Sequence, residues 1–322
     1  MQFLVHITIL LTSVAVIWFF AGIIIEEITH IARRYCKSNF FMAFFVLGSL
    51  TSISEFSVAI NAAATGVPSV SVGNLIGASF VIMFLIVPFL VVAGRGITIN
   101  KALPKKSVLL ILGAIALPAL LVVDGTVTTQ EGLLAILLYA TVAYALYRKR
   151  EPIRTCDPII NAAEIPHTTF TDILRVVVAT LAIFTASHFL VDQGVYIADA
   201  LHVPASLIGL ILLSIGTNIP EIVIAIRSVL AKKAEVALGD YLGSSAMNTL
   251  IFGLLAISAG PFLVEAHEFV DTTVLMVVGF VLFYLFLHFK KGIGKKEGVV
   301  LLLVYVLFLI FKLTNVLEFA AL

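Results

Sequence analysis

Charged side chains are scarce in this sequence. Asp, Glu, Lys and Arg make up 12% of its 322 residues, about half the share found in soluble domains, which is too little for an ordinary solvated surface. Cysteine is nearly absent: Cys36 and Cys156 are the two copies. Both fall in loops assigned below to the cytoplasmic side, so no disulfide is expected. There is no glycine-rich phosphate-binding loop, and the function argued below needs no ATP. No His-Glu-x-x-His motif is present, and Gly239-Asp240 lacks the extra glycine and partner aspartate of an intramembrane protease, so an enzyme is not expected. The start lacks a basic stretch, and its apolar run passes Ile25 without a small-residue cleavage pattern. The first span is therefore expected to be retained rather than cleaved as a signal peptide.

What is abundant is apolar. Hydrophobic residues reach 61% and mean hydropathy is +1.14, the composition of an integral membrane protein. A spanning helix needs about 20 apolar residues. Polar breaks then divide the chain into ten spans at roughly 3–25, 40–65, 70–93, 107–123, 130–147, 171–191, 204–231, 236–259, 270–289 and 298–315. The expected fold is an all-α membrane protein of about ten transmembrane helices, arranged as two inverted five-helix repeats. The first repeat covers 1–150, a cytoplasmic connecting loop 151–170, and the second repeat 171–322; no segment is left for a soluble domain.

Orientation follows from the basic residues of short loops. Arg33, Arg34, Lys37, Arg95, Lys101, Lys105, Lys106, Arg148, Lys149, Arg150, Arg154, Lys232, Lys233, Lys290, Lys291, Lys295 and Lys296 share one side, 17 of the 20 Lys and Arg. The other side carries Asp124, Asp192, Asp199, Glu265, Glu268 and Asp271, with Lys312 as the main basic exception. Both termini are thus expected outside a plasma (inner) membrane.

One segment occurs twice without a gap, Thr51 to Ile82 and Thr217 to Asn248, 166 positions apart. The overlay pairs Thr51 with Thr217, Glu55 with Glu221, Ala59 with Ala225, Gly73 with Gly239, Gly77 with Gly243 and Ser79 with Ser245. Five spans per half is an odd number, so the second copy starts on the opposite side and the halves are inverted, as in many transporters.

Each copy holds one glutamate within an apolar helix. Glu221 lies about ten residues, or about 15 Å, from the inner end of its span, near the midplane, and Glu55 has a similar depth. An ionised side chain there costs at least about 2.5 kcal/mol, so it must be protonated, paired or bound to a cation. No Lys or Arg shares that depth, since Arg227 sits nearer the cytoplasmic end and can snorkel. Two such carboxylates suit a doubly charged cation, and oxygen ligands suit calcium. Thr51 and Thr217 precede the glutamates by one helical turn on the same face. Pro220, after Gly216, weakens the helix there and frees carbonyls. Asp240, Ser244 and Asn248 form a polar stripe on the eighth span, beside Gly239 and Gly243, which admit a close neighbour. Other readings stand beside these: a protonated packing glutamate, a solvated Asp240 near a helix start, glycines that serve packing alone, and His188 as an interhelical hydrogen-bonding group rather than a proton relay. Glu26, Glu27, Asp192 and Asp199 are expected at the interfaces.

The chain resembles the calcium/cation antiporter superfamily, which includes sodium/calcium and proton/calcium exchangers. The family's repeat reads Gly-Thr-Ser-x-Pro-Glu, then Gly-Asn-x-x-Gly-Ser-x-x-x-Asn. The second copy here has Gly216, Thr217, Asn218, Ile219, Pro220 and Glu221, then Gly239, Asp240, Gly243, Ser244 and Asn248. The first has Leu50, Thr51, Ser52, Ile53, Ser54 and Glu55, then Gly73, Asn74, Gly77, Ala78 and Ile82. The resemblance implies calcium held by Glu55, Glu221, Thr51 and Thr217, between the second, third, seventh and eighth helices. Counter-ion or flanking positions carried over are Ser52, Asn218, Ser244, Asn248 and Asp240. Ala78 and Ile82 cannot ligate, so one flanking site should be weakened or absent, while Asp240 stands where the family has Asn and adds a protonatable group.

The expected function is secondary-active antiport of calcium, or a related divalent cation, against sodium or protons by alternating access, with the first and sixth helices as the sliding pair. The partners are inorganic cations and the lipid bilayer, with no nucleic acid and no cofactor, and the chain is compatible with a monomer. The alternatives are an inverted-repeat carrier for another solute and a cation channel, the latter needing a continuous polar pore.

Overall fold

The computed structural model describes residues 2–33, 44–45, 48–94, 97–98, 105–148, 170–219, 221–222, 225–226, 234–290 and 292–321. Cys36, Cys156, Pro220, Arg227, almost all of the segment 151–170 and many of the basic loop residues lie outside the described residues. In chain order the helices are α1 (Gln2–Arg33), α2 (Gly48–Thr51), α3 (Ile53–Ala64), α4 (Pro68–Val81), α5 (Val87–Ala93), α6 (Lys105–Leu121) and α7 (Thr129–Arg148). The second half adds α8 (Phe170–Leu201), α9 (Ala205–Ile208), α10 (Ser214–Thr217), α11 (Ala234–Ala259), α12 (His267–Lys290) and α13 (Lys295–Ala321). A π-helical turn over Ile82–Ile86 joins α4 to α5, and another over Gly209–Leu213 joins α9 to α10.

Seven of the described helical segments are long and apolar enough to cross a membrane. The apolar part of α1 and the two interrupted segments, 48–64 and 205–217, complete ten crossings. Local signals set several ends. Pro68 opens α4 from its first turn, where a missing N–H costs nothing. Thr128 and Glu131 form a reciprocal cap at the start of α7: the Thr128 N–H donates to Glu131 Oε2 at 2.7 Å and the Glu131 N–H to Thr128 Oγ1 at 3.3 Å. Gly125, at φ 82°, makes the tight turn before it.

α1 and α8 each run 32 residues, past the ends expected from hydropathy. At 1.5 Å per residue that is about 48 Å, more than the bilayer core, so they tilt or protrude. They pack chiefly on each other, and His6 Nδ1 lies 2.6 Å from Gln193 Oε1 across that contact.

Two short antiparallel strand pairs fix the topology. β1 (Ile97–Thr98) pairs with β4 (Gly292–Ile293), and β2 (Thr126–Val127) with β3 (Phe262–Leu263). Paired strands must share a membrane side. The ten-crossing count puts the loops holding β1 and β4 on one side and those holding β2 and β3 on the other. The 166-residue offset also carries Ile97 onto Leu263 and Thr126 onto Gly292, so the repeat exchanges the two pairs.

The core lies around α4 and α11. Each packs against the interrupted helix of the opposite repeat, with backbone on backbone. A Cβ on Gly243 would strike the Phe44 carbonyl, and one on Gly77 would strike the Leu210 carbonyl. Phe44 and Leu210 are themselves repeat-related. Lys312, expected near the end of the last helix on the side of Glu268 and Asp271, lies beside them and is fully buried: its Nζ donates to the Glu268 carbonyl and lies 2.6 Å from Asp271 Oδ1. That ion pair ties α13 to the start of α12.

Candidate cation site

Both interrupted helices break at the same repeat position. Ser52 separates α2 from α3 at φ −78° and ψ 6°, and Asn218 ends α10 at φ −89° and ψ 7°. The first copy has Ser54 where the second has Pro220, so proline alone does not explain the break. The shared feature is back-bonding: Ser52 Oγ donates to the Gly48 carbonyl at 2.8 Å, and Asn218 Nδ2 to the Ser214 carbonyl at 2.6 Å. Side chains that bond the carbonyl four residues back compete with the helical ladder and bend it.

Glu55 and Glu221 follow the breaks and are wholly buried. Each commits one oxygen and leaves the other open. Glu55 Oε2 accepts the Ser54 hydroxyl at 2.8 Å, and Glu221 Oε1 accepts that of Ser244 at 3.5 Å. Glu55 Oε1 and Glu221 Oε2 are buried without a hydrogen-bond partner among the described residues. Among the described residues, no ion pair reaches either carboxylate.

Each threonine lies beside a carboxylate of the opposite repeat. The Thr217 side chain faces Glu55, while Thr51 faces Glu221 and Asp240. The sequence spacing puts each threonine on the same face as its own glutamate, but the crossed packing of the broken helices turns that face toward the other repeat. Thr217 Oγ1 also donates to Asn74 Oδ1 at 3.3 Å, and Thr51 Oγ1 to the Gly48 carbonyl at 3.4 Å.

The remaining candidates divide. Ser52 and Ser244 meet at 3.2 Å between hydroxyls, linking the repeats. Asn248 Nδ2 reaches Ser79 Oγ at 3.2 Å and the Leu75 carbonyl at 3.5 Å, and its Oδ1 is left open. Asp240 is fully buried, and among the described residues no hydrogen bond of ordinary geometry reaches its carboxylate oxygens. Ala78 and Ile82 are fully buried and apolar. His188 stands outside the site, 3.5 Å from Asp192 on its own helix with both side chains well exposed. Sequence reasoning gave no role to Asn74, Ser79 or Tyr241, whose hydroxyl donates to the Glu221 carbonyl at 3.1 Å. Asn74 and Ser79 were visible as polar members of the repeat, whereas Tyr241 gave no signal in an apolar helix.

Two carboxylates surrounded by hydroxyl and amide oxygens match the ligand chemistry of a hard cation. Among the described residues, no three His, Cys, Asp or Glu side chains converge on one metal position, so neutral oxygens must complete any shell around the glutamate pair.

The sequence pattern of the family described as sodium/calcium exchanger protein matches residues 5–148 and again 172–314. The chain belongs to that family. It is therefore a membrane transporter of the cation exchanger type and not an enzyme. The sodium/calcium exchanger MaX1 of Methanosarcina acetivorans is 31% identical over 140 residues, 43% of this chain and 40% of MaX1; that match spans less than half the relative's length. An uncharacterized membrane protein of Methanocaldococcus jannaschii is 26% identical over 277 residues, 86% of this chain and 88% of the relative. Among solved structures, the sodium-calcium exchanger NCX_Mj superposes with a TM-score of 0.64 at 21% identity, covering 95% of this chain and 98% of the other, which establishes a shared fold.

Proposed function

We propose that this chain is a secondary-active antiporter that exchanges calcium, or a related divalent cation, for sodium or protons by alternating access. The observation that carries the reading is the pair of buried glutamates, each with one carboxylate oxygen that no described group satisfies. A buried ionised oxygen without a partner is costly, and a divalent cation between two such oxygens removes the cost for both. Thr51 and Thr217, crossing between repeats, add neutral oxygens. Ser52, Asn218, Ser244, Asn248 and Asp240 are the flanking positions for the counter-ion in this reading.

Coupling follows from charge. An empty, doubly ionised pair is too costly to reorient within the membrane, so the return step requires sodium or protons on the same carboxylates. α1 and α8, long and packed mainly on each other, are the sliding pair. The two repeats, 1–150 and 171–322, lie in the plasma membrane with both termini outside.

The test is calcium-45 uptake into proteoliposomes under an outward sodium gradient or an outward proton gradient, with Glu55→Gln and Glu221→Gln as controls. Uptake driven by one gradient and lost in both variants is the expected result and names the counter-ion. Absence of calcium flux under either gradient contradicts the calcium assignment and leaves an inverted-repeat carrier for another solute.

A further inference from the structure

The two glutamates are fastened in different ways. Glu55 is tied within its own helix, where the hydroxyl of the preceding residue, Ser54, donates to its Oε2 at 2.8 Å. The second repeat has Pro220 at that place, which offers neither a hydroxyl nor a backbone N–H for the helical ladder. Glu221 is reached from α11 instead: the Tyr241 hydroxyl donates to its main-chain carbonyl at 3.1 Å, and Ser244 Oγ to its Oε1 at 3.5 Å. Tyr241 and Ser244 stand three residues apart, on one face of the helix. The matching positions on α4 hold Leu75 and Ala78, whose side chains have no polar atom, so α4 gives Glu55 no such support.

Tyr241 is the largest wholly buried side chain among the described residues. A buried phenol hydroxyl requires a partner, and here the partner is the main chain of the residue that carries the second carboxylate. Of the two bonds from α11, this is the shorter. It holds the root of the side chain whether the carboxylate carries an ion, a proton or nothing. With Glu55 fixed to its own helix and Glu221 fixed to α11, the gap between the carboxylates depends on that bond. Calcium–oxygen distances run about 2.3–2.6 Å and magnesium–oxygen distances about 2.0–2.1 Å, and oxygen cavities choose between such ions by size and rigidity. A shift of a few tenths of an ångström at Glu221 is therefore enough to change which ion fits.

We infer that Tyr241 is a positioning residue that holds Glu221 at the separation from Glu55 that suits a calcium-sized ion, and so sets the preference among divalent cations. It acts through the Glu221 main chain and touches no ion itself. The inference rests on the antiporter reading above and adds to it the group that decides which divalent cation the glutamate pair takes.

The experiment is equilibrium calcium-45 binding to the purified protein, with manganese and strontium as competitors smaller and larger than calcium. The quantity read is the ratio of affinities. The unaltered protein should prefer calcium to both. Tyr241→Phe keeps the ring and deletes the hydroxyl, and it should lower that preference about five-fold, the equivalent of one hydrogen bond. Tyr241→3-fluorotyrosine keeps the hydroxyl and should keep the preference. A hydroxyl that serves packing alone would weaken all three ions in parallel, so an unchanged ratio in Tyr241→Phe overturns the inference, as does a lost preference in the fluorinated protein. If Tyr241→Phe does not fold, Tyr241→Leu, which copies Leu75 of the other repeat, is read in the same way. An unaltered protein that binds the three ions equally also overturns the inference. Absence of saturable calcium binding in the unaltered protein contradicts the antiporter reading itself, a result distinct from an altered ratio.

Discussion

On the second-repeat side of the site, Thr217, Glu221, Asp240, Ser244 and Asn248 supply polar groups, all of them buried. The matching first-repeat positions hold Thr51, Glu55, Asn74, Ala78 and Ile82, so the last two polar groups are replaced by apolar side chains. The backbone has diverged far less. Both interrupted helices break at the same place, and Gly77 and Gly243 make the same close approach to the opposite repeat. The comparison separates two layers of the design: backbone packing preserves the two-fold frame, while the side chains of the candidate site differ between the halves. One local backbone difference accompanies this divergence. The π turn over Ile82–Ile86 begins at the residue that replaces the asparagine, and its counterpart in α11 is an uninterrupted α-helix.

The largest effect should come from the feature both halves share. Glu55→Gln and Glu221→Gln should each lower calcium affinity about a hundred-fold or more, equivalent to about 2.7 kcal/mol, because each removes one of the two charges proposed to hold the ion. Equal losses in calcium-45 binding would support a symmetric pair. A mild effect at either position would break the comparison.

The frame comes next. Gly243→Val places side-chain carbon against the Phe44 carbonyl, an overpacking that costs about 1–3 kcal/mol or more. It should lower the thermal midpoint of the purified protein, and Gly77→Val should do the same against Leu210. Gly22→Val is the control, since a Cβ there meets nothing within 4 Å, and its midpoint should stay near that of the unaltered protein.

The smallest effects should separate the flanks. Ser79→Ala removes the Asn248 partner at 3.2 Å, a loss of about 1 kcal/mol, so the sodium concentration for half-maximal exchange should shift roughly five-fold while calcium affinity moves less. Ala78→Ser with Ile82→Asn restores polar groups to the depleted half and should steepen the sodium dependence of exchange. An unchanged steepness would mean that the missing flank is not what limits the counter-ion.

Much of this was legible before the structure. Composition and periodic polar breaks give the crossings, and the ungapped repeat gives the inversion and both glutamates. What escaped is how helices cross. Thr51 and Thr217 were readable as polar residues one turn from a carboxylate, but which glutamate each faces depends on tertiary packing that sequence spacing does not encode. The break at Ser52 was hidden because no proline marks it; the cause is a back-bond from a common side chain. Lys312 was readable as a basic residue near the end of the last helix, but not its burial against a carboxylate of α12.

The central claim is that one divalent cation sits between Glu55 and Glu221. Equilibrium calcium-45 binding to the purified protein, with sodium as competitor, tests it most directly. The account predicts one calcium per chain, displaced by sodium and lost in Glu55→Gln and in Glu221→Gln; saturable calcium binding that survives both substitutions unchanged would contradict it.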